Sequence, residues 1–114
     1  MKTLFLAFVF LIASTSHAYV MSTSITPFQK HSDAIHTATG TSTLALPANS
    51  DRVYLLIQNQ GTDSIIVNVG AAQVGSNGIL IPAGGNWEAL RAPLDAIYLK
   101  AVTGSQAVEI LEGN

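Results

Sequence analysis

A chain of 114 residues holds one domain, and 5 Lys+Arg against 7 Asp+Glu give it a net charge of −2. The absence of cysteine excludes a disulfide framework, an iron–sulfur cluster, a thiol nucleophile and a thiolate-bound zinc. So few cations argue against nucleic-acid binding, which needs a basic patch to displace phosphate counterions, and 48% apolar residues exclude a disordered chain.

Lys2 supplies a positive charge ahead of an unbroken apolar run, 4–13 (LFLAFVFLIA), and Ser16 and Ala18 are the small residues of a cleavage site. That is the layout of a secretory signal peptide over residues 1–18. As a helix the apolar run spans about 15 Å, roughly half a bilayer core, too short for a permanent anchor. The pattern predicts export, to the periplasm, the medium or a virion, after cleavage following Ala18. The mature chain has fewer than a hundred residues and no disulfide. A β-rich core, oligomerisation or docking on a larger assembly must therefore stabilise it.

Residues 19–43 are rich in Ser and Thr and show no clean hydrophobic period, so they read as an extended or weakly ordered N-terminal arm. Pro27 argues against a long helix there, and nothing supports a turn of helix at 32–36. Alone, such an arm cannot bury enough to offset its entropy, so it is expected to order against a neighbour. A first strand is expected near 41–46.

From residue 44 onward, short apolar runs are separated by Gly, Asn, Asp and Pro. Residues 52–59 (RVYLLIQN) are apolar on both faces through their middle, which suits a central, covered strand. In 64–69 (SIIVNV), Ile65, Val67 and Val69 share one face. Gln60-Gly61-Thr62-Asp63, between these runs, has the composition of a hairpin loop. Residues 78–81 follow an Asn-Gly turn signal, Pro82-Ala83-Gly84-Gly85 stops them, and 86–90 form a return strand. In 96–102, Ile97, Leu99 and Ala101 point inward while Tyr98 and Lys100 point out. In 107–111, Val108 and Ile110 point inward and Glu109 outward. About seven short strands at roughly ten-residue spacing, with no crossover helix, predict an all-β fold. Residues 44–114 then form a small antiparallel β-sandwich or jelly-roll-like domain. Its expected core is Val53, Leu55, Ile57, Ile65, Val67, Ile97, Leu99, Val108 and Ile110.

No constellation points to catalysis, a metal or a cofactor. His31-Ser32-Asp33-Ala34-Ile35-His36 brings two His near a carboxylate, but on a helix the two rings diverge by about 140°, poor for joint ligation. Gly70 and Gly75 have phosphate-loop spacing without the Lys and Ser/Thr that would reach phosphate and magnesium, and they lead into a strand. Asp51, Asp63 and Asp95 fall at strand ends, where turn chemistry accounts for them. Trp87, Tyr98 and Tyr54 are the candidate partner contacts, since outward aromatics on a sandwich anchor proteins or glycans, with core filling as the competing role.

The stretch from Asn49 onward carries a distinctive order. Asn49-Ser50-Asp51-Arg52 precedes a strand ending Gln58-Asn59, and Val67-Asn68-Val69-Gly70 follows. Then come Gly78-Ile79-Leu80-Ile81-Pro82-Ala83-Gly84-Gly85-Asn86-Trp87-Glu88 and Ala96-Ile97-Tyr98-Leu99. This order resembles small β-domains encoded by tailed bacteriophages, among them virion components. The resemblance implies a β-sandwich module with no known active site, so it supplies no functional residues to carry over. The signal peptide departs from that pattern. It leaves a filamentous-phage-like coat component, a prophage-encoded envelope protein or a host protein of the same fold. The expected function is a non-enzymatic structural or interaction module that self-associates or docks on an assembly; the alternative is an exported small-ligand or glycan-binding module.

Overall fold

The computed structural model describes residues 30–114; the expected signal peptide, 1–18, and residues 19–29 of the expected arm lie outside the described residues. Eight strands follow one another: β1 (His31–Ala38), β2 (Thr43–Leu46), β3 (Tyr54–Asn59), β4 (Ile65–Val69), β5 (Ile79–Ile81), β6 (Asn86–Ala89), β7 (Ile97–Ala101) and β8 (Gln106–Gly113). They form two four-stranded sheets, in the orders β1-β8-β3-β6 and β2-β7-β4-β5, with every pairing antiparallel. The pairings nest: β4 with β5, β3 with β6, β2 with β7, β1 with β8. A long hairpin rolled over so that its strand pairs alternate between two sheets produces this order. It is a jelly roll.

The eighth strand is β1, inside the segment expected to be an arm. Residues 31–38 pair without a register break against 106–113, so this half of the arm needs no neighbour to order it. Its Ser, Thr and His content hid it, because an edge strand that buries little shows no apolar period. Only Ala38 is fully buried, with His36 half-buried.

The core is the inward face of both sheets: Leu55 and Ile57, Ile65 and Val67, Ile97, Leu99 and Ala101, Val108 and Ile110, with Ala38 and Ile81 at its margins. Period-two alternation reads directly as burial along β3, β4 and β7. Val53 departs from expectation and is exposed. The strand starts one residue later, so Val53 lies at the rim, beyond the reach of the opposing sheet, while its neighbour Arg52 turns inward and is buried.

The loop at 60–63 is not a hairpin. β3 and β4 lie in opposite sheets, so the loop arches between layers, as do the links from β5 to β6 and from β7 to β8. Two buried amides make the arch possible. Asn59 donates to the carbonyls of Asp63 (2.7 Å) and Ile81 (3.1 Å) and accepts from Gly61 N–H (3.0 Å). Gln106 accepts from Thr62 N–H (2.8 Å) and Asp63 N–H (3.1 Å) and donates to the Thr103 carbonyl (2.8 Å). Backbone groups that a hairpin would pair with each other are satisfied here by side chains from the core. A Cβ on Gly61 would collide with Gln106, which fits glycine at this point.

Candidate functional site

The paired histidines do not converge. Five residues apart on a strand, His31 and His36 fall on opposite faces of the sheet. No group of three or more His, Asp or Glu arranged to hold a metal exists among the described residues. Asp51 and Asp95 sit at one end of the sandwich and Asp63 at the other. Asp51 N–H bonds the Asn49 side chain (3.0 Å), and the Asp63 carboxylate accepts from Ser64 N–H (2.8 Å) and from the Thr103 hydroxyl. Those hydrogen bonds, the Thr103 one first, hold the Asp63 carboxyl below its ordinary range. All three lie in the turns and bends between strands, and only the Asp63 carboxylate makes the turn's hydrogen bonds itself.

Two carboxylates that sequence reasoning did not bring together do meet. Asp33 lies opposite Leu111 and Glu109 opposite Ile35, so the two side chains are diagonal neighbours on the outer face of the first sheet. Glu109 is pushed above its ordinary range, first by hydrogen bonding with Asp33, then by desolvation and by the Asp33 charge; Gln60 Nε2 (3.4 Å) opposes this. The nearness of Asp33 thus favours the protonated form of Glu109. Only the register of β1 against β8 could have revealed it.

The aromatic candidates are all half-buried. Trp87 lies opposite Ile57 and packs against the core, closing its side under β6. Tyr54 donates its hydroxyl to Glu88 (3.0 Å) on the outer face. Tyr98 stands between Leu44 and Asn68 on the outer face of the second sheet.

That outer face is covered in part by the β4–β5 loop, residues 70–78, where the phosphate-loop spacing occurs. Gln73 N–H reaches Ser42 Oγ (3.0 Å), which means crossing β7, and Gly78 lies tight against Ile66 and Asn68. Asn68 Nδ2 donates to the Asn77 carbonyl (3.1 Å). Beneath the loop, Asn68 Oδ1 and Gln73 Oε1 are buried and find no donor among the described residues. The glycines at 70, 75 and 78 all have positive φ, as the path over the sheet requires.

The end of the sandwich where β1 begins is locked by Arg52. Its buried guanidinium donates to Glu112 Oε2 (2.8 Å), to the carbonyls of Pro93 (2.6 Å) and Asp95 (2.9 Å), and to that of Pro47 (2.9 Å). Asn49 completes the lock by bonding Glu112 Oε1 (2.8 Å) and Asn114 Oδ1 (2.9 Å). The Asn49…Arg52 pair of the sequence motif is thus a structural clasp.

The remaining feature is the edge of β1. Among the four edge strands it is the longest, eight residues against four, three and four in β2, β5 and β6. No lysine, proline or bulge interrupts it, and Ile35 near its centre is 64% exposed. Natural sheets normally protect such an edge.

No family model matches the sequence, and no curated protein matches it. Among solved structures the chain is similar to a cupin-2 domain containing protein from Shewanella frigidimarina NCIMB 400, with a TM-score of 0.48, 10% identity and 92% of each chain covered. It is also similar to PirA, with a TM-score of 0.47 and 12% identity over 70% of this chain and 92% of that one. A de novo designed double-stranded β-helix gives a TM-score of 0.44 and 12% identity over 73% of this chain and 97% of the design. At these levels the likenesses carry no argument about activity, ligand or partner.

Proposed function

We propose that the chain is a non-enzymatic structural or interaction module of phage or prophage origin, exported to the envelope or medium, which self-associates by strand pairing along the edge of β1. The long unprotected edge carries this reading. The backbone groups of Asp33, Ile35 and Thr37 face away from β8 on that edge, and this regular stretch of strand offers a ladder to a second copy. Ile35, exposed beside the edge, would gain burial on pairing. Export is supported by the layout of residues 1–18, and phage origin by the order of turns and strands from Asn49 onward.

Sedimentation at micromolar concentration tests the assembly. The mature protein should form concentration-dependent oligomers, and Ile35→Lys should remain a monomer with the same circular dichroism. A wild-type monomer, or an unchanged oligomer in the variant, would overturn the reading. Export is tested by N-terminal sequencing of the secreted protein, which should begin at Tyr19.

A second reading, an exported small-ligand or glycan-binding module, is favoured by one observation. The two buried carboxamide oxygens under the β4–β5 loop are acceptors suited to sugar hydroxyls if the loop lifts. A glycan array with no binder would remove it.

A further inference from the structure

The two ends of the sandwich differ in chemistry. The arches at one end, around 39–42, 60–64, 82–85 and 102–105, are built of small and polar residues, with Val102 as their exposed large apolar side chain. The clasped end is different. Val53 (38% exposed), Val69 (39%), Leu90 (74%) and Leu94 (49%) stand at its rim. They belong to three separate segments, Val53 ahead of β3, Val69 at the end of β4, and Leu90 and Leu94 on the β6–β7 link, yet hydrogen bonds gather those segments at one place. Val53 N–H bonds the Gly113 carbonyl (2.9 Å), Asn49 N–H bonds the Leu94 carbonyl (2.8 Å), and Gly70 N–H bonds the Ala96 carbonyl (2.8 Å). Leu90 follows Ala89, the residue opposite Leu55 near the same end of β3. The Arg52 clasp holds the loops that carry Val53 and Leu94 in fixed relation.

The chain enters the fold at this end. Lys30 and Asn114 exchange both backbone hydrogen bonds (3.0 and 2.7 Å), and Asn114 Oδ1 accepts from Asn49, whose own N–H holds Leu94. Residues 19–29 (YVMSTSITPFQ) therefore join the domain a few hydrogen bonds away from Leu94. They contain Tyr19, Val20, Met21, Ile25 and Phe28 and no charged residue. Eleven residues reach about 35 Å when extended, more than a small domain's end requires. The segment carries five large apolar side chains in eleven residues, and an exposed apolar rim marks a contact surface.

We infer that the apolar rim formed by Val53, Val69, Leu90 and Leu94 is the docking surface for residues 19–29 of the same chain. The segment caps its own sandwich at the clasped end. This leaves the edge of β1 for a second copy, and the inference stands or falls separately from that assembly.

Because the chain has no cysteine, disulfide trapping in the full chain reads the contact cleanly. The pair Ile25→Cys with Leu94→Cys should oxidise to an intramolecular disulfide, seen as a monomer of altered mobility on a non-reducing gel and confirmed by peptide mass. Ile25→Cys with Val102→Cys, at the opposite end, should stay mostly reduced under the same oxidant. Both introduced positions at the domain are exposed, so the fold should tolerate them. A disulfide-linked dimer from the first pair would overturn the inference by placing the segment on a second copy. Equal trapping at both ends, or none at Leu94, would overturn it by showing no preference for the rim.

Discussion

Arg52 and Glu112 meet at 2.8 Å with the guanidinium fully enclosed and the Glu112 side chain 12% exposed, sixty positions apart in sequence. The ion pair is one of four hydrogen-bonding contacts that the guanidinium makes, and the other three hold carbonyls from two loops. Breaking a buried pair on one side leaves an uncompensated charge. Arg52→Ala is therefore expected to cost about 3–5 kcal/mol, measured by urea denaturation. Arg52→Lys keeps the charge without the planar fork and should recover only part of the loss. Full recovery in the lysine variant would mean that the loop carbonyls are not held by the fork.

Gly78 and Gly84 separate a packing requirement from a conformational one. Both have positive φ, 132° and 75°. A methyl at 84 meets open space, whereas one at 78 would run into Ile66 and Asn68. Gly84→Ala should cost about 1 kcal/mol, and Gly78→Ala about 2–4 kcal/mol, adding overpacking to strain. Thermal unfolding of the two variants checks this. Equal losses would show that the β4–β5 loop does not seat on the sheet.

Glu109 and Asp63 make stability depend on pH in opposite directions. The folded-state pKa of Glu109 is raised, so its contribution is present below its unfolded value and is lost as pH rises through the folded value. Asp63 is lowered and works the other way: its contribution is present above its unfolded value and is lost as pH falls through the folded one. Mild acidification from neutrality should therefore strengthen the β1–β8 pairing before stronger acid weakens the arch at Asp63. Asp33→Asn should bring the Glu109 titration, followed by carboxyl NMR, back down toward the ordinary range. An unmoved Glu109 would show that the two side chains do not interact in solution.

The parts of the fold legible in the sequence are those where one physical effect dominates. Alternation of Leu55, Ile57, Ile65, Val67, Ile97, Leu99, Val108 and Ile110 identifies the inward faces, because each strand is covered on one side by the opposing sheet. Strand β1 was not legible, since an edge strand burying little more than Ala38 carries no period. In the sequence the arches look like hairpins, because Gly, Thr and Asp suit either. What decides between them is Asn59 and Gln106, polar residues on inward positions whose partners are known only once the layers are stacked. Arg52 was visible as part of a motif, but its burial was not, because a cation beside a strand is ordinarily solvated. Trp87, Tyr54 and Tyr98 are half-buried, and the exposed apolar groups are smaller aliphatics such as Ile35 and Leu90, which residue type alone does not distinguish.

Assembly through β1 is tested most directly by hydrogen exchange at individual amides as a function of protein concentration. In an antiparallel edge strand alternate N–H groups point to the paired neighbour and the others to the open side. The β1 amides bonded to β8 should exchange slowly at every concentration. The intervening β1 amides should exchange fast in dilute solution and slow markedly at high concentration, with no matching change in the edge strand β6. Intervening amides that stay fast at all concentrations would contradict self-association along this edge.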